Sequence, residues 1–262
     1  MVIKKPKPYP DLVSEVSLGF LHSDPAKQKV IIGVDEVGRG CLAGVVVAAA
    51  AVLSPERVLE MGFLANGQRG RSFKKKPKDS AHPIQRIQDS KMIPEEDREM
   101  FRDAVEKFAL GYAIGEASVD EIESLNILYA SHLAMERAVA ALEKKLNIKA
   151  DCILVDGHIV PKVFKHRGMP LIKGDQKSLS IACASIMAKV YRDQLMAEME
   201  LVYPGYGLKK HKGYPTPFHK KQIEILGPTP IHRRGFKGVI LNQDISAIMQ
   251  DELFSEEDES EF

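Results

Sequence analysis

The chain has 262 residues and a formal net charge of +1, with 44% hydrophobic and 28% charged residues. These are the values of a soluble globular protein, and the longest apolar run, residues 43–53, is too short to span a bilayer. The N-terminus "MVIKKPKPYPDL" has no apolar segment of signal-peptide length, so we expect no secretion and a cytoplasmic location. Three cysteines without metal-ligand spacing predict reduced thiols: Cys41, Cys152 and Cys183.

Charge is distributed unevenly along the chain. Seven of the last twelve residues are acidic, so the rest of the chain carries a net charge of +8. Basic residues cluster at 69–78, 209–213 and 232–234. These clusters favour a polyanionic partner, and the alternative is a set of solvated surface charges beside a disordered tail. We expect an N-terminal extension (1–28), one main domain (29–240) and an acidic tail (241–262).

The first predicted elements are two strands. "KVIIGVDEVG" and "GVVVAAAAVL" are rich in Val, Ile and Ala, and the few residues between them predict a hairpin or close antiparallel neighbours. Residues 66–82 are rich in Gly, Ser and Lys without apolar periodicity, which indicates an exposed, mobile, basic insertion within the main domain.

Helices and strands alternate in the rest of the chain. A helix from Pro94 is predicted to bury Met100, Phe101, Val105 and Phe108. The following segments predict, in order, a strand, a long helix, a strand and a second long helix: "GYAIGEAS", "SLNILYASHLAMERAVAALEKKL", "DCILVDG" and "LSIACASIMAKVYRDQLMAEMELV". This order predicts an α/β fold around a mixed sheet.

Four carboxylates lie at the predicted ends of these elements. Asp35 and Glu36 end the first strand, Asp156 ends a later strand, and Asp175 precedes a helix. If the first strand breaks at its Gly-containing turn, the adjacent acids can face one site with the other two. Such an oxygen-only set suits Mg²⁺ or Mn²⁺ better than zinc. The alternative is structural: aspartates at strand ends form turns, and Asp175 could cap the helix.

Several linked motifs closely resemble the bacterial type 2 ribonuclease H, ribonuclease HII. They span residues 30–237 in the order "GVDEVGRGCLAG", "DSK", "LNILYASHLAM", "LVDG", "KGDQKSLSIACASIMAKVYRD", "YGLKKHKGYPTPFH" and "LGPTPIHRRGF". The resemblance implies a ribonuclease H-like mixed sheet flanked by helices, with a helical C-terminal region. It also implies hydrolysis of the RNA strand of RNA/DNA hybrids and nicking 5′ to single ribonucleotides in duplex DNA, leaving 3′-hydroxyl and 5′-phosphate ends.

The resemblance also implies roles for individual residues. Asp35, Glu36, Asp156 and Asp175 would be the catalytic acids that bind two divalent ions. Gly38, Arg39 and Gly40 would read the 2′-hydroxyl, and Tyr214 would stack on the next sugar; otherwise these are turn residues and a half-buried loop aromatic. Three lysines would contact phosphates or are ordinary surface charges: Lys91, Lys189 and Lys212. A monomer is expected, without membrane association.

The acidic tail contains "QDELF", which resembles the peptide by which bacterial repair proteins bind the sliding clamp. Gln250, Leu253 and Phe254 are therefore candidate clamp-binding residues. Only 34 residues precede Asp35, whereas type 3 enzymes have a larger N-terminal domain, so type 2 is expected. Two rival functions are another two-metal nuclease, such as a junction resolvase, and a nucleic-acid-binding module without catalysis.

Overall fold

The structure is a computed structural model, and it describes residues 9–70, Ile87 and residues 93–239. Three sequence predictions lie outside this part of the chain: Lys91, the basic insertion beyond residue 70, and the tail with Gln250, Leu253 and Phe254. The strands are β1 (Ile31–Val37), β2 (Val46–Leu53), β3 (Ala109–Ala117), β4 (Cys152–Asp156) and β5 (Gly168–Leu171). The helices are α1 (Val13–Ser17), α2 (Pro55–Glu60), α3 (Arg98–Phe108), α4 (Val119–Leu146), α5 (Leu179–Val202), α6 (Leu208–His211) and α7 (Pro217–Leu226).

The described strands form one five-stranded mixed sheet in the order β3-β2-β1-β4-β5. β1 and β3 each pair antiparallel with β2, whereas β4 pairs parallel with both β1 and β5. The antiparallel pairing of β1 with β2 confirms the predicted neighbours. The parallel pairing of β1 with β4 requires a long crossover, which α4 supplies. The α/β fold predicted from the sequence is therefore confirmed.

Each face of the sheet packs against one long helix. α5 packs with Ile31, Ala49 and Leu154, and α4 packs with Ile32 and Val34, as alternation along β1 requires. α5 lies very close to β1, because a Cβ built on Gly33 would be 2.3 Å from the carbonyl carbon of Ser180. The absence of a side chain at Gly33 thus places the residues of α5 directly against the carboxyl end of β1.

The two predicted amphipathic helices differ locally from expectation. In α3 the residues Phe101, Val105 and Phe108 are buried, but Met100 is exposed, so its predicted place in the core is wrong. α3 starts at Arg98 after a single 3₁₀ turn, and Ala104 completes the buried face in place of Met100. The face is therefore rotated slightly from the predicted one.

α4 contains a kink at Asn126, whose φ of 65° and ψ of 164° are not helical. The Asn126 side chain accepts hydrogen bonds from the backbone N–H groups of Leu128 (3.0 Å) and Tyr129 (3.3 Å). These are the contacts of an N-cap residue, so a second helical segment starts here. The apolar spacing that predicted a helix from Ile127 belongs to this second segment.

The N-terminal residues 9–28 belong to the same core as the main domain. Leu12 and Phe20 are buried against it, and the amide of Leu12 donates to the carbonyl of Gly67 (2.9 Å). Residues 66–70, which begin the predicted exposed insertion, contact this segment, since Arg69 Nε also donates to the Pro10 carbonyl (2.9 Å). This part of the insertion is a docking surface for the N-terminus.

Glu15 in α1 is buried and caps the start of α5. One carboxylate oxygen accepts hydrogen bonds from Ser178 Oγ (2.7 Å), Ser180 N (3.0 Å) and Ser180 Oγ (2.8 Å). Burial raises the pKa of Glu15, and the bonds from Ser178 and Ser180 oppose that rise. An acidic group at this helix end also faces the positive end of the helix dipole.

After α5 the chain forms a small helical region, as predicted. α6 and α7 surround a cluster of Tyr206, Leu208 and Ile223, which packs against Leu42 and Ala43 in the loop between β1 and β2. Among the described helices, none combines the length and apolar character needed to cross a membrane.

We expect Glu15→Ala to destabilise the fold by about 2 kcal/mol, because two buried serine hydroxyls and one helix N–H lose their acceptor. Urea unfolding at neutral pH would measure the change. Glu60→Ala, at an exposed acid that ends α2, is the matched control and should leave stability unchanged. Equal stabilities of the two variants would contradict a capping role for Glu15.

Candidate active site

Asp35 and Glu36 lie inside β1, because the strand continues to Val37. The strand does end at the Gly-containing turn, but one residue after the acids, so the prediction that the acids end the strand is wrong and the pair keeps the alternation of a strand. Asp35 faces α5, where Ser185 hydrogen-bonds to its carboxylate. Glu36 lies on the face covered by α4. The two acids approach the edge of the sheet from opposite faces.

Asp35 is the most strongly perturbed acid of the site. Its carboxylate is buried and accepts a hydrogen bond from the Glu36 amide (2.8 Å). Burial raises its pKa well above the ordinary value, and the charges of Glu36 and Asp156 raise it further, whereas the hydrogen bond from Ser185 lowers it. The three acids are thus close enough to repel one another, which is typical of carboxylates that share a cation.

Asp156 reaches the same edge through the parallel pairing of β1 with β4. Val34 pairs with Val155, so Asp35 and Asp156 are the next residues on neighbouring strands. Asp156 Oδ1 accepts a hydrogen bond from the Gly174 amide (2.6 Å), which brings the turn with Asp175 beside it. Asp175 is buried, and the α5 cap is Ser178, whose side chain accepts from the Ile181 amide. Helix capping therefore does not explain Asp175.

Glu36 forms an ion pair with Arg39, with Oε1 and Nη1 3.2 Å apart. Burial raises the pKa of Glu36, the Arg39 guanidinium lowers it, and Asp156 raises it. Arg39 also contributes to lowering the pKa of His132 on α4, after the larger effect of burial. Arg39 therefore lies between the acids and α4, with its side chain 46% exposed.

The chemistry of the acids fits a hard divalent cation. All donors are carboxylate oxygens, and their mutual repulsion would be relieved by positive charge. Within residues 9–70 and 93–239, however, no group of three or more His, Cys, Asp or Glu side chains is arranged to hold an ion. Glu36 is paired with Arg39 and one Asp156 oxygen with Gly174. A cation would compete for these contacts.

Gly38 requires the absence of a side chain, and Gly40 does not. Gly38 has a φ of +96°, and a Cβ built on it would lie 2.3 Å from Nε of Arg192. A Cβ on Gly40 would contact nothing within 4 Å, and Gly40 is exposed. The loop backbone is therefore pressed against α5 at Gly38 and open at Gly40.

Two buried arginines that the sequence analysis missed hold this loop. Arg192 donates to the carbonyls of Ala43 (3.0 Å), Val45 (3.1 Å) and Lys212 (2.8 Å). Arg233 donates to the carbonyls of Arg39 (3.2 Å), Cys41 (2.9 Å) and Gly44 (2.9 Å). Both residues lie within the quoted motifs, "KVYRD" and "HRRGF". Arg192 could have been found as a cation on the apolar face of a predicted helix.

Tyr214 follows the turn that Arg192 holds, and its side chain is 37% exposed. The Gly213 carbonyl accepts a hydrogen bond from the Leu42 amide (2.8 Å), so the Tyr214 segment is joined directly to the loop after Gly40. The structure thus connects two predicted substrate-binding segments. One is the Gly38–Gly40 loop, predicted to contact the 2′-hydroxyl, and the other carries Tyr214, predicted to stack on the next sugar.

The lysines predicted to contact phosphates are placed differently. Lys189 pairs with Asp193 (2.5 Å) and Lys212 pairs with Glu95 (2.8 Å). Burial is the main cause that lowers the pKa of Lys189. The ammonium group of Lys189 thus serves an ion pair within α5, and that of Lys212 joins the 207–214 turn to Glu95 just before α3. The exposed lysines of this turn are Lys209 and Lys210.

Comparison with known proteins identifies the family. The sequence model of the family Ribonuclease HII matches residues 78–239, more than half of the chain. The ribonuclease H2 from Pyrococcus horikoshii OT3 is 26% identical with a TM-score of 0.57, covering 80% of this chain and 95% of that chain.

Two further solved structures share the fold. The PCNA:RNase HII complex from Archaeoglobus fulgidus gives 18% identity and a TM-score of 0.53, covering 79% of this chain and 95% of that one. Bst-RNase HIII in complex with Mn²⁺ gives 16% identity and a TM-score of 0.53, covering 80% and 68%. The family match over more than half of the chain shows that this chain belongs to the ribonuclease HII family and is a ribonuclease H, an endoribonuclease of RNA/DNA hybrids.

Proposed function

We propose that the protein cleaves the RNA strand of hybrids and also nicks 5′ to a single ribonucleotide embedded in duplex DNA. The products would carry 3′-hydroxyl and 5′-phosphate ends. The observation that carries this proposal is the contact between Gly38 and Arg192, which places the Gly38–Gly40 loop beside the edge where Asp35 and Asp156 meet. One site can thereby hold a scissile phosphate and inspect the sugar next to it.

Asp35, Glu36, Asp156 and Asp175 would bind two divalent ions, Mg²⁺ or Mn²⁺. When bound, such ions lower the pKa of the attacking water and neutralise charge on the phosphate. The protein's own part is to hold the carboxylates in place. Ser185 orients Asp35, and the Gly174 amide orients Asp156. Burial raises the pKa of Asp35, and a cation nearby would lower it again.

The discrimination of a ribonucleotide would come from the loop and the tyrosine. A 2′-hydroxyl both donates and accepts hydrogen bonds, so backbone groups of Gly38, Arg39 and Gly40 can read it at close range. Gly40 is open to such an approach, and Tyr214 exposes part of its ring to stack on the following deoxyribose. The hydrogen bond from the Leu42 amide to the Gly213 carbonyl would limit changes in the distance between the Gly38–Gly40 loop and Tyr214.

Phosphate contacts would come from exposed basic residues. Lys209 and Lys210 at the 207–214 turn are exposed, and Lys91 remains a candidate from its motif alone. The pair of Lys212 with Glu95 would act by positioning the turn, whereas Lys189 pairs with Asp193 inside α5. Binding through phosphates is independent of sequence and weakens with salt.

We infer that the protein is a bacterial type 2 enzyme that acts as a monomer in the cytoplasm, in ribonucleotide excision repair. Its 26% identity to a ribonuclease H2 exceeds its 16% identity to Bst-RNase HIII. Cys41, Cys152 and Cys183 are free thiols, which fits a reducing compartment.

We expect Asp156→Asn to lower incision at a single ribonucleotide by at least about a hundredfold and to leave duplex binding in place, because a neutral amide is a poorer cation ligand. A labelled DNA duplex with one ribonucleotide, tested with Mg²⁺, with Mn²⁺ and with chelator, measures the cut. Asp151→Asn, at the other end of β4, is the matched control, since Asp151 forms an exposed pair with Lys29.

Three other results of that experiment would point elsewhere. Cleavage of a branched all-DNA substrate without any ribonucleotide would favour a junction resolvase. Binding without cleavage by the wild-type protein would favour a non-catalytic binding module. Undiminished incision by Asp156→Asn would remove Asp156 from the proposed site.

Gly38→Ala and Gly40→Ala separate the two roles of the loop. Gly38→Ala should lower both thermal stability and activity, since its Cβ overlaps Arg192 and its φ is positive. Gly40→Ala should leave the melting temperature unchanged, because no protein atom lies near its Cβ. It should lower incision at a single ribonucleotide about tenfold or more, because the new methyl group would occupy the space that the substrate sugar enters. Full activity of Gly40→Ala would contradict a close approach of the sugar to Gly40.

We propose that "QDELF" in the tail binds a bacterial sliding clamp. One solved relative is a complex of RNase HII with PCNA, which supports a clamp as the kind of partner. The double change Leu253→Ala, Phe254→Ala should abolish pull-down by purified clamp and keep cleavage of a hybrid unchanged, because the apolar pair would fill the pocket. Unchanged pull-down would overturn the idea, and Ser255→Ala is the control.

A further inference from the structure

Three histidines pack together beneath the segment of Tyr214. The rings of His211 and His219 are stacked with centroids 4.3 Å apart, and those of His219 and His232 are 5.3 Å apart. His219 and His232 are buried, and their Nε2 atoms lie 3.2 Å from each other. Neither the acids nor the loop at Gly38 uses these rings directly, so their arrangement needs a separate explanation.

The backbone determines which nitrogen of each buried ring carries the proton. Two groups of Thr229 contact Nδ1 of His232: the hydroxyl oxygen at 2.8 Å, which can donate or accept, and the backbone amide at 3.0 Å, which can only donate. The amide therefore makes Nδ1 an acceptor, the hydroxyl can rotate to donate to it as well, and the ring proton is on Nε2. The Tyr214 carbonyl can only accept, and it lies 3.0 Å from Nδ1 of His219, so that Nδ1 carries the proton. The remaining contact is then a hydrogen bond from His232 Nε2–H to the bare Nε2 of His219.

These bonds form one directed chain from Thr229 through His232 and His219 to the carbonyl of Tyr214. Each ring is neutral in it, since a second proton on either ring would set two N–H groups against each other or an N–H against the Thr229 amide. The tautomer of His211 follows from the same reasoning. Its Nδ1 accepts a hydrogen bond from the Gly213 amide (3.2 Å), so Nε2 carries the proton and donates to the Tyr206 carbonyl (2.7 Å).

The chain also connects Tyr214 to the loop that follows Gly40. The backbone of His232 pairs with Ala43 in an antiparallel bridge, and the Arg233 amide donates to the Leu42 carbonyl (2.8 Å). Leu42 in turn donates to the Gly213 carbonyl. Two contacts thus hold the Tyr214 segment. The His219 ring bonds to the Tyr214 carbonyl, and the Leu42 amide bonds to the Gly213 carbonyl.

The charges around the rings favour their neutral forms. The pKa of His219 and the pKa of His232 are both lowered to about 4, mainly by burial. His211 contributes to the lowering at His219, and His219 and His211 contribute at His232. The groups that face the cluster from the elements around it are the phenol of Tyr206, Glu200 and the ammonium of Lys212 near His211, and Arg233 next to His232. Of these only Glu200 would favour a charged ring, and it faces the outermost histidine.

We propose that His219 and His232 are positioning residues for ribonucleotide discrimination: their hydrogen-bond chain holds the backbone of Tyr214 at a set distance from the Gly38–Gly40 loop. This inference rests on the proposed role of Tyr214. It assigns to the buried rings the preference for a ribonucleotide followed by a deoxyribonucleotide, and it leaves the cleavage step to the acids. Protonation of either ring interrupts the chain and releases the tyrosine segment.

The first test observes the chain directly, without any substrate. A long-range ¹H–¹⁵N NMR spectrum of the full-length protein at neutral pH should show His219 as the Nδ1–H tautomer and His211 and His232 as Nε2–H tautomers. On acidification the His219 and His232 signals should move near pH 4 rather than near 6.5. Since the unfolded rings bind protons first, the chain's contribution to stability is present above pH 6.5 and is lost as the pH falls toward 4. Averaged tautomers, or titration near 6.5, would overturn the proposal.

The second test separates specificity from stability. His219→Leu removes the donor to Tyr214, and His219→Asn restores it, because the Asn amide nitrogen replaces Nδ1. For His219→Leu we expect the ratio of kcat/KM for a single-ribonucleotide duplex to that for a continuous hybrid to fall about tenfold, with recovery in His219→Asn. His166→Asn, at an exposed histidine, is the matched control.

If His219→Leu does not fold, His232→Gln supplies the comparison, because its amide nitrogen can replace Nε2–H and should preserve the ratio, whereas His232→Leu should lower it. Equal losses on both substrates that follow melting temperature, without recovery in His219→Asn, would show a structural role only and overturn the proposal. A wild-type protein that cuts hybrids and ignores single ribonucleotides would instead contradict the proposed function, while the NMR result would still stand.

Discussion

Two buried guanidinium groups on backbone carbonyls hold the catalytic face together. The loop between β1 and β2 turns through positive φ at Gly38 and Gly44, so its carbonyls cannot join the sheet. Unpaired buried carbonyls are costly, and an arginine offers five donors in a planar fork. Arg192 and Arg233 donate to five carbonyls of this loop between them, and Arg192 also donates to the Lys212 carbonyl in the 207–214 turn. Burial lowers the pKa of Arg233 to about 10, so it stays charged at neutral pH.

This constraint makes α5 the element that sets distances across the site. Ser185 contacts Asp35, and Arg192 contacts the loop at Gly38 seven residues later, which corresponds to about 10 Å along the helix axis. Gly33 allows the start of α5 to lie directly against β1. Glu15 caps this start of α5, which follows the turn that contains Asp175. Asp35 and the Gly38–Gly40 loop therefore both contact α5, and a shift of α5 would move both.

Local patterns in the sequence predicted β1 to β4, the long helices and the places of the four acids along the chain, because these depend on periodicity and on residue type. They did not predict β5, whose four residues include Gly168 and Pro170. They did not predict contacts between distant segments. The place of residues 9–28 in the core depends on Glu15 meeting Ser178, and the loop depends on Arg192 and Arg233. Met100 was misplaced because α3 starts later than the pattern suggests. Asn126 was read as part of a helix, although its side chain caps the second half of α4. Side-chain to backbone bonds at long separation leave little trace in a single sequence.

The charges at the site also depend on contacts between segments that are distant in the sequence. The sheet brings Asp35 and Asp156 together against their repulsion, and no described lysine pairs with them, because Lys189 and Lys212 are neutralised by Asp193 and Glu95. Among the ion pairs of the described residues, Arg39 brings positive charge to Glu36. Lys212 instead joins the turn before Tyr214 to Glu95 at the start of α3, and Lys189 pairs with Asp193 inside α5. These two lysines therefore leave the mutual repulsion of Asp35 and Asp156 in place, and a cation bound beside the two acids would relieve it.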